Sequence, residues 1–217
     1  MPQFPWKRLI ASIEATVKDN SPVITRMSRE HKNPFLILVG TLLSLRTKDE
    51  TTEKVLERLS MVATTPAAIL ALPPGKLEEI IFPVGFYRNK AHTLRHVSHI
   101  VIEKYHGSVP NTLDELLSMK GVGRKTANLV MTEGFGKPGI CVDTHVHRIS
   151  NRLGIVNSRN PDQTEMALRK SLPGKYWIRF NGLLVTFGKT VCTPVSPKCS
   201  ICNLPLLCKK VGVTTSR

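Results

Sequence analysis

No stretch of this sequence approaches the roughly 18 consecutive apolar residues that a membrane-spanning helix requires, which excludes a helical membrane protein. The opening, Met1-Pro2-Gln3-Phe4-Pro5-Trp6-Lys7-Arg8, has no long apolar stretch of the secretory type, so the expected location is cytoplasmic. Strand-like alternation of apolar and polar residues is scarce, which argues against a sheet. Internal repeats and low-complexity tracts are lacking. With 41% hydrophobic and 22% charged residues, a disordered or collagenous chain is excluded as well. Acidic residues are few: 16 Asp and Glu stand against 31 Lys and Arg.

That imbalance is the first positive clue. The formal charge is +15 over 217 residues, and from Pro138 onward 12 basic residues face only 3 acidic ones. A charge excess of this size works against compactness and suits a polyanionic partner, with nucleic acid the leading candidate. The chain is long enough for one compact domain or two small ones, and needs no disulfides to hold a core. A monomer is expected. There are five cysteines, and four of them (Cys192, Cys199, Cys202 and Cys208) fall within 17 residues. In an intracellular protein such a cluster points to metal binding rather than to disulfides.

Apolar residues recur at helical spacing. Trp6, Leu9, Ile10, Ile13 and Val17 predict a one-sided first helix. Pro34 ahead of Phe35-Leu36-Ile37-Leu38-Val39 marks a helix start with proline in its first turn, and the apolar run to Leu45 predicts a central buried helix. Further helices are expected over 49–60, 66–72, 75–81, 89–105, 111–118, 124–133, 144–153, 161–171 and 174–188, separated by short segments rich in Pro, Gly and Asn. The fold class is all-α. His92, His96 and His99 share a helix face at a spacing that can ligate a metal, but no Cys or carboxylate accompanies them, and a solvated face is the simpler reading.

The most informative stretch is Leu116-Leu117-Ser118-Met119-Lys120-Gly121-Val122-Gly123-Arg124-Lys125-Thr126-Ala127-Asn128. Two glycines let the chain turn tightly between helices and approach a ligand closely. The unpaired N–H groups at the following helix start then suit an anion such as a DNA phosphate. Lys125 falls in that first helical turn beside Arg124, where the helix dipole and a neighbouring cation disfavour an ammonium. It is a candidate nucleophile; a surface lysine touching phosphate is the plainer alternative. Asp143, in Val142-Asp143-Thr144-His145, precedes an amphipathic helix and fits either an N-cap or a catalytic carboxylate. The spacing Cys192-x6-Cys199-x2-Cys202-x5-Cys208 supplies four thiolates and no histidine, which leaves zinc and an iron–sulfur cluster both open. Cys141 stands apart as a buried apolar residue.

Over nearly its whole length the chain resembles the endonuclease III family of DNA repair glycosylases, within the helix-hairpin-helix superfamily. The resemblance rests on Leu42-Leu43-Ser44, Gly85-Phe86-Tyr87-Arg88-Asn89-Lys90-Ala91, the Gly121–Asn128 hairpin, Val142-Asp143-Thr144-His145, Arg148 and the four-cysteine tail. It implies that Lys125 attacks the sugar carbon bearing a damaged base, forms a Schiff base and breaks the strand by β-elimination, with Asp143 as the essential carboxylate. It also implies a [4Fe–4S] cluster on the four cysteines and duplex DNA as the partner.

The expected DNA contacts are Gly121, Gly123, Arg124, His145, Arg148, Lys189 and Lys198. Two loops, Leu45–Asp49 and Gly85–Tyr87, would fill the gap left by the extruded base. Phe86 takes the apolar wedge position, for which an ordinary core aromatic is the alternative, and Arg46 stands where many relatives carry glutamine. The loop Thr193–Lys198 holds one positive charge where many relatives hold several, and Met119-Lys120 replaces the usual Leu-Pro.

The implied architecture is a six-helix barrel over 27–137, with its hairpin near 112–134, and a cluster domain of 1–26 plus 138–217. DNA would cross the cleft between them. The expected reaction is excision of an oxidised pyrimidine followed by cleavage at the abasic site. The rivals are a monofunctional mismatch glycosylase, which usually lacks a lysine at this position, and a non-catalytic helix-hairpin-helix DNA-binding protein.

Overall fold

The computed structural model describes residues 4–17, 22–31 and 33–217. Residues 1–3 of the expected cluster domain, 18–21 and 32 lie outside the described residues. Those described are helical, with no strand among them, and no helix is long and apolar enough to cross a membrane. The chain divides into two compact units, Met1–Pro22 with Ile140–Arg217 and Val23–Gly139.

The first helix, α1 (Trp6–Val17), buries the five residues of its apolar stripe. In the Val23–Gly139 unit, α2 (Val23–His31) leads to α3 (Pro34–Ser44), α4 (Asp49–Ser60), α5 (Pro66–Ala71) and α6 (Pro74–Ile81). These are followed by α7 (Tyr87–Tyr105), α8 (Leu113–Ser118) and α9 (Arg124–Leu129), which continues into a π-helical turn, Val130–Gly134. Asn33 caps α3, its Oδ1 accepting from the N–H groups of Phe35 (2.9 Å) and Leu36 (3.2 Å), with Pro34 in the first turn. Every residue from Phe35 to Leu43 is buried, because α3 packs against α2, α4, α7, α9 and the π turn. A helix surrounded on all sides has to be apolar all round.

On α7, Ala91, Leu94, Val97 and Val101 form the buried face, while His92, His96 and His99 are exposed. Arg95 of the same helix caps α5, donating to the carbonyls of Leu72 (2.7 Å), Leu70 (3.3 Å) and Ile69 (3.4 Å). It thereby satisfies acceptors that a helix end leaves open.

The second unit joins α1 to α10 (Thr144–Leu153), α11 (Pro161–Ser171) and α12 (Trp177–Thr190). Its core centres on Leu9, Ile13, Ile149, Leu168, Phe180 and Leu184, all fully buried. Beyond α12 the chain has little regular structure, only a single 3₁₀ turn at Cys199–Ile201.

Candidate active site

The hairpin is built by α8, the turn and α9. Val122 is buried and anchors the turn, its N–H donating to Met119 O at 3.0 Å. The two glycines do different work. Gly121 has φ +97°, and a Cβ there would lie 2.6 Å from Thr93 Cγ2 of α7, so both backbone and packing require glycine. Gly123 has an ordinary φ of −85° and open space where a Cβ would be. Its bareness exposes the backbone at the start of α9, where N–H groups precede the first intrahelical bond. Arg124 and Lys125 occupy that first turn, both half-buried.

Asp143 caps α10. Its Oδ1 accepts both cap bonds, from the N–H groups of His145 and Val146, each at 2.9 Å. The two readings of this residue are therefore compatible, because capping occupies one carboxylate oxygen and Oδ2 takes no part in it. The preceding segment is held from below by Asn181, whose Nδ2 donates to Cys141 O at 3.1 Å. Lys125 belongs to the Val23–Gly139 unit and Asp143 to the other.

Arg148, one turn into α10, points inward. Its Nη2 donates to Cys192 O (2.8 Å), Gly188 O (3.2 Å) and Nδ1 of His145 (3.2 Å). A guanidinium only donates, so in this contact Nδ1 of His145 is the acceptor. Burial lowers the pKa of Arg148 and the neighbouring Arg152 adds to this, while Cys192 and Asp143 work in the opposite direction. Gly188 leaves room for this cluster: a Cβ would fall 2.4 Å from His145 Nδ1. Among the expected phosphate contacts, Lys189 is exposed and Lys198 half-buried.

The four cysteines line one cavity together with Leu153, Phe187 and neighbouring side chains. None is in a disulfide, and Cys141 is buried elsewhere in the same unit. Among the described residues no group of three His, Cys, Asp or Glu converges closely enough for a single metal ion. Burial raises the pKa of Cys202 and Cys208, reinforced by the other thiols around the cavity. Four thiolates are thus disfavoured there without a cationic centre between them. Arg152 braces the loop, donating to Thr193 O (2.7 Å), Pro194 O (2.6 Å) and Cys192 Sγ (3.5 Å). The N–H of Lys210 donates to Cys208 Sγ at 3.4 Å.

In the larger unit, Phe86 is 60% exposed, so it is no core aromatic. Arg46 lies over its ring, 5.6 Å from the centroid.

Comparison with known proteins gives one answer. The HhH-GPD superfamily, described as base excision DNA repair proteins, matches residues 39–174. Endonuclease III of Thermotoga maritima is 48% identical over 189 residues, 86% of this chain and 89% of that protein. The chain belongs to the HhH-GPD superfamily. Among solved structures, a trapped covalent intermediate of an endonuclease III with DNA superposes with TM-score 0.80 at 34% identity, covering 96% of this chain and 97% of that one. A thermostable thymine-DNA glycosylase superposes with TM-score 0.81 at 26% identity, over 94% and 95%.

The HhH-GPD match does not extend to the cysteine tail. Lys90, Arg152 and Gly188 act through partners distant in the chain, which the sequence does not reveal. The sole signal for Lys90 was its place in Gly85–Ala91, one of the segments that carry the family resemblance.

Proposed function

We infer that this protein is a base-excision-repair DNA glycosylase with abasic-site lyase activity, acting on duplex DNA. The observation that carries the reading is Lys125, in the first helical turn behind a bare Gly123, in a chain 48% identical to an endonuclease III. The backbone N–H groups of the hairpin, with Arg124, grip a phosphate and fix the register of the strand without reading its sequence. With the damaged nucleotide extruded, the neutral amine of Lys125 attacks C1′. The bond from C1′ to the base breaks, and the base departs with the electron pair and takes up a proton. Opening of the sugar ring, with O4′ taking up a proton as the C1′–O4′ bond breaks, leaves a protonated imine between Lys125 and C1′. Loss of a proton from C2′ then expels the 3′ phosphate, and water releases the lysine. The Oδ2 side of Asp143 offers a negative charge to the cationic sugar and an acceptor for the proton Lys125 sheds.

The expected substrate is an oxidised pyrimidine. The likeness to a thymine-DNA glycosylase favours mismatch excision as the second reading. Borohydride added during turnover on abasic duplex separates the two. A lyase leaves DNA attached to the protein, and Lys125→Ala abolishes the adduct; a monofunctional mismatch enzyme leaves none in either case. Asp143→Asn keeps a cap acceptor but loses the charge, and is expected to slow the trap by about 100-fold or more while leaving the unfolding midpoint nearly unchanged.

Cys192, Cys199, Cys202 and Cys208 fit a [4Fe–4S] cluster. A multi-atom group suits four thiols around one cavity, and its positive irons offset the thiolate repulsion described above. When bound, it supplies no reaction step; it holds the irregular chain after α12 in place, with Lys189 and Lys198 available to the DNA backbone. Iron and acid-labile sulfide should be present in the purified protein and lost in Cys202→Ser.

A further inference from the structure

Lys90 is a charged side chain turned into the protein. It lies in the first turns of α7, 9% exposed, and its ammonium donates to Leu45 O (2.6 Å), Leu43 O (2.7 Å) and Thr47 Oγ1 (3.0 Å). All three acceptors are neutral. Holding a cation on neutral acceptors away from water is costly, and burial pushes the pKa of Lys90 down to about 8. Methionine would fill similar volume without that cost, so the contribution of the ammonium lies in what its bonds fix in place.

They fix two loops at once. Leu45 and Thr47 flank Arg46, whose backbone is left-handed (φ +53°). The hydroxyl of Thr47 also accepts from the N–H of Gly85 at 3.1 Å and donates to Leu45 O at 3.3 Å. At Gly85 the two backbones touch: a Cβ would stand 2.7 Å from Arg46 O, leaving room for glycine alone. The next residue, Phe86, is left-handed too (φ +59°) and begins α7. A side chain in that region costs on the order of 1 kcal/mol or more. Two such residues therefore face each other across the junction, the guanidinium of one over the exposed ring of the other.

We propose that Lys90 and Thr47 are positioning residues that lock the loops Leu45–Lys48 and Gly85–Tyr87 into one register, so that Arg46 and Phe86 enter DNA as a single preformed wedge. The proposal rests on the glycosylase reading for its substrate, and on the geometry alone for the coupling of the loops. A preformed pair bears its ordering cost before binding. Filling the gap beside an extruded base then requires no loop search, and base excision is faster. Cleavage of an abasic site in single-stranded DNA has no stack to fill and draws no benefit.

The test uses the full-length protein with Lys90→Met, Thr47→Val and Thr47→Ser, each checked for its unfolding midpoint. Single-turnover excision is measured on duplex carrying one oxidised pyrimidine, and lyase activity on a preformed abasic site in single-stranded DNA. 2-Aminopurine opposite a stable abasic analogue reports wedge insertion without any chemistry. Lys90→Met should lower excision by about 10- to 100-fold and blunt the 2-aminopurine response, while single-strand lyase activity stays within about 3-fold. Thr47→Val should follow it in weaker form, with Thr47→Ser restoring the wild-type response.

The proposal is overturned if folded Lys90→Met excises within about 3-fold of wild type, if both activities fall together, or if Thr47→Ser is as impaired as Thr47→Val. Should Lys90→Met not fold, the threonine pair decides by the same criteria. Should the wild-type protein neither excise nor cleave, the glycosylase reading fails, and the 2-aminopurine response of the variants still decides whether the loops act as one.

Discussion

In each unit a cation turns inward beneath an element of the candidate site, Lys90 in one and Arg148 in the other, and the two are accommodated differently. Lys90 faces neutral oxygens only, whereas Arg148, also disfavoured chiefly by burial, has Cys192 and Asp143 on its side and the cation of Arg152 against it. The ammonium of Lys90 matches its three acceptors, while Nε of Arg148 is buried with no hydrogen-bond partner among the described residues. The difference teaches what each tie is for. A lysine can give up its proton and keep two donors, so its grip on the loops is adjustable. An arginine holds its charge at any pH the protein meets, and Arg148 makes a permanent strut from α10 to the end of α12 and the first cysteine.

The comparison breaks most sharply at Arg148. Arg148→Leu leaves the carbonyls of Gly188 and Cys192 without their donor and should cost about 2–4 kcal/mol by denaturant unfolding and, where the proposed cluster is bound, speed the loss of iron to a chelator. A loss below about 1 kcal/mol would mean that Arg148 is no strut. Gly188→Ala strains the same cluster from the other side, by forcing a Cβ onto His145. It should cost about 1–3 kcal/mol, whereas Gly123→Ala, with open space around it, should stay within about 0.5 kcal/mol.

The smallest effect sharpens the Lys90 side. Unfolded, Lys90 titrates at the ordinary 10.5; folded, at about 8. Below pH 8 both states hold the proton and this residue adds no slope. Between the two values unfolding takes up a proton, so stability rises with pH, by at most about 1.4 kcal/mol per unit, and levels off above 10.5. The difference between wild type and Lys90→Met isolates this slope. Arg46, Lys48 and Asp49 of the adjoining loop, Glu78 and Glu79 of α6, and Arg88 and His92 of α7 are common to both proteins. A flat difference from pH 8 to 10 would place the ammonium in contact with water.

Much of the fold is legible as helical periodicity, because α1, α3, α4 and α10 have apolar residues in register with the faces they bury. α2 is not legible in the sequence. Its short apolar set, Val23, Ile24 and Met27, is interrupted by charged and hydroxyl residues, and its hold on Glu133 is tertiary. The helix expected from 89 begins at Tyr87, after the left-handed break at Phe86. Lys125 and Asp143 are legible because their settings, a glycine turn and a helix cap, are local in the chain. Lys90 and Arg148 have carbonyl partners 40 to 47 residues away, and a carbonyl carries no side-chain signature.

The widened turn at Val130–Gly134 bears on Lys125 as well. At its end Glu133 accepts from Thr25 Oγ1 (3.0 Å) and Ser28 Oγ (2.7 Å) of α2. A rod pinned at its far end by a two-pronged clasp cannot roll about its own axis. The azimuth at which the Lys125 side chain leaves α9 is therefore governed two turns downstream, by a carboxylate committed to α2.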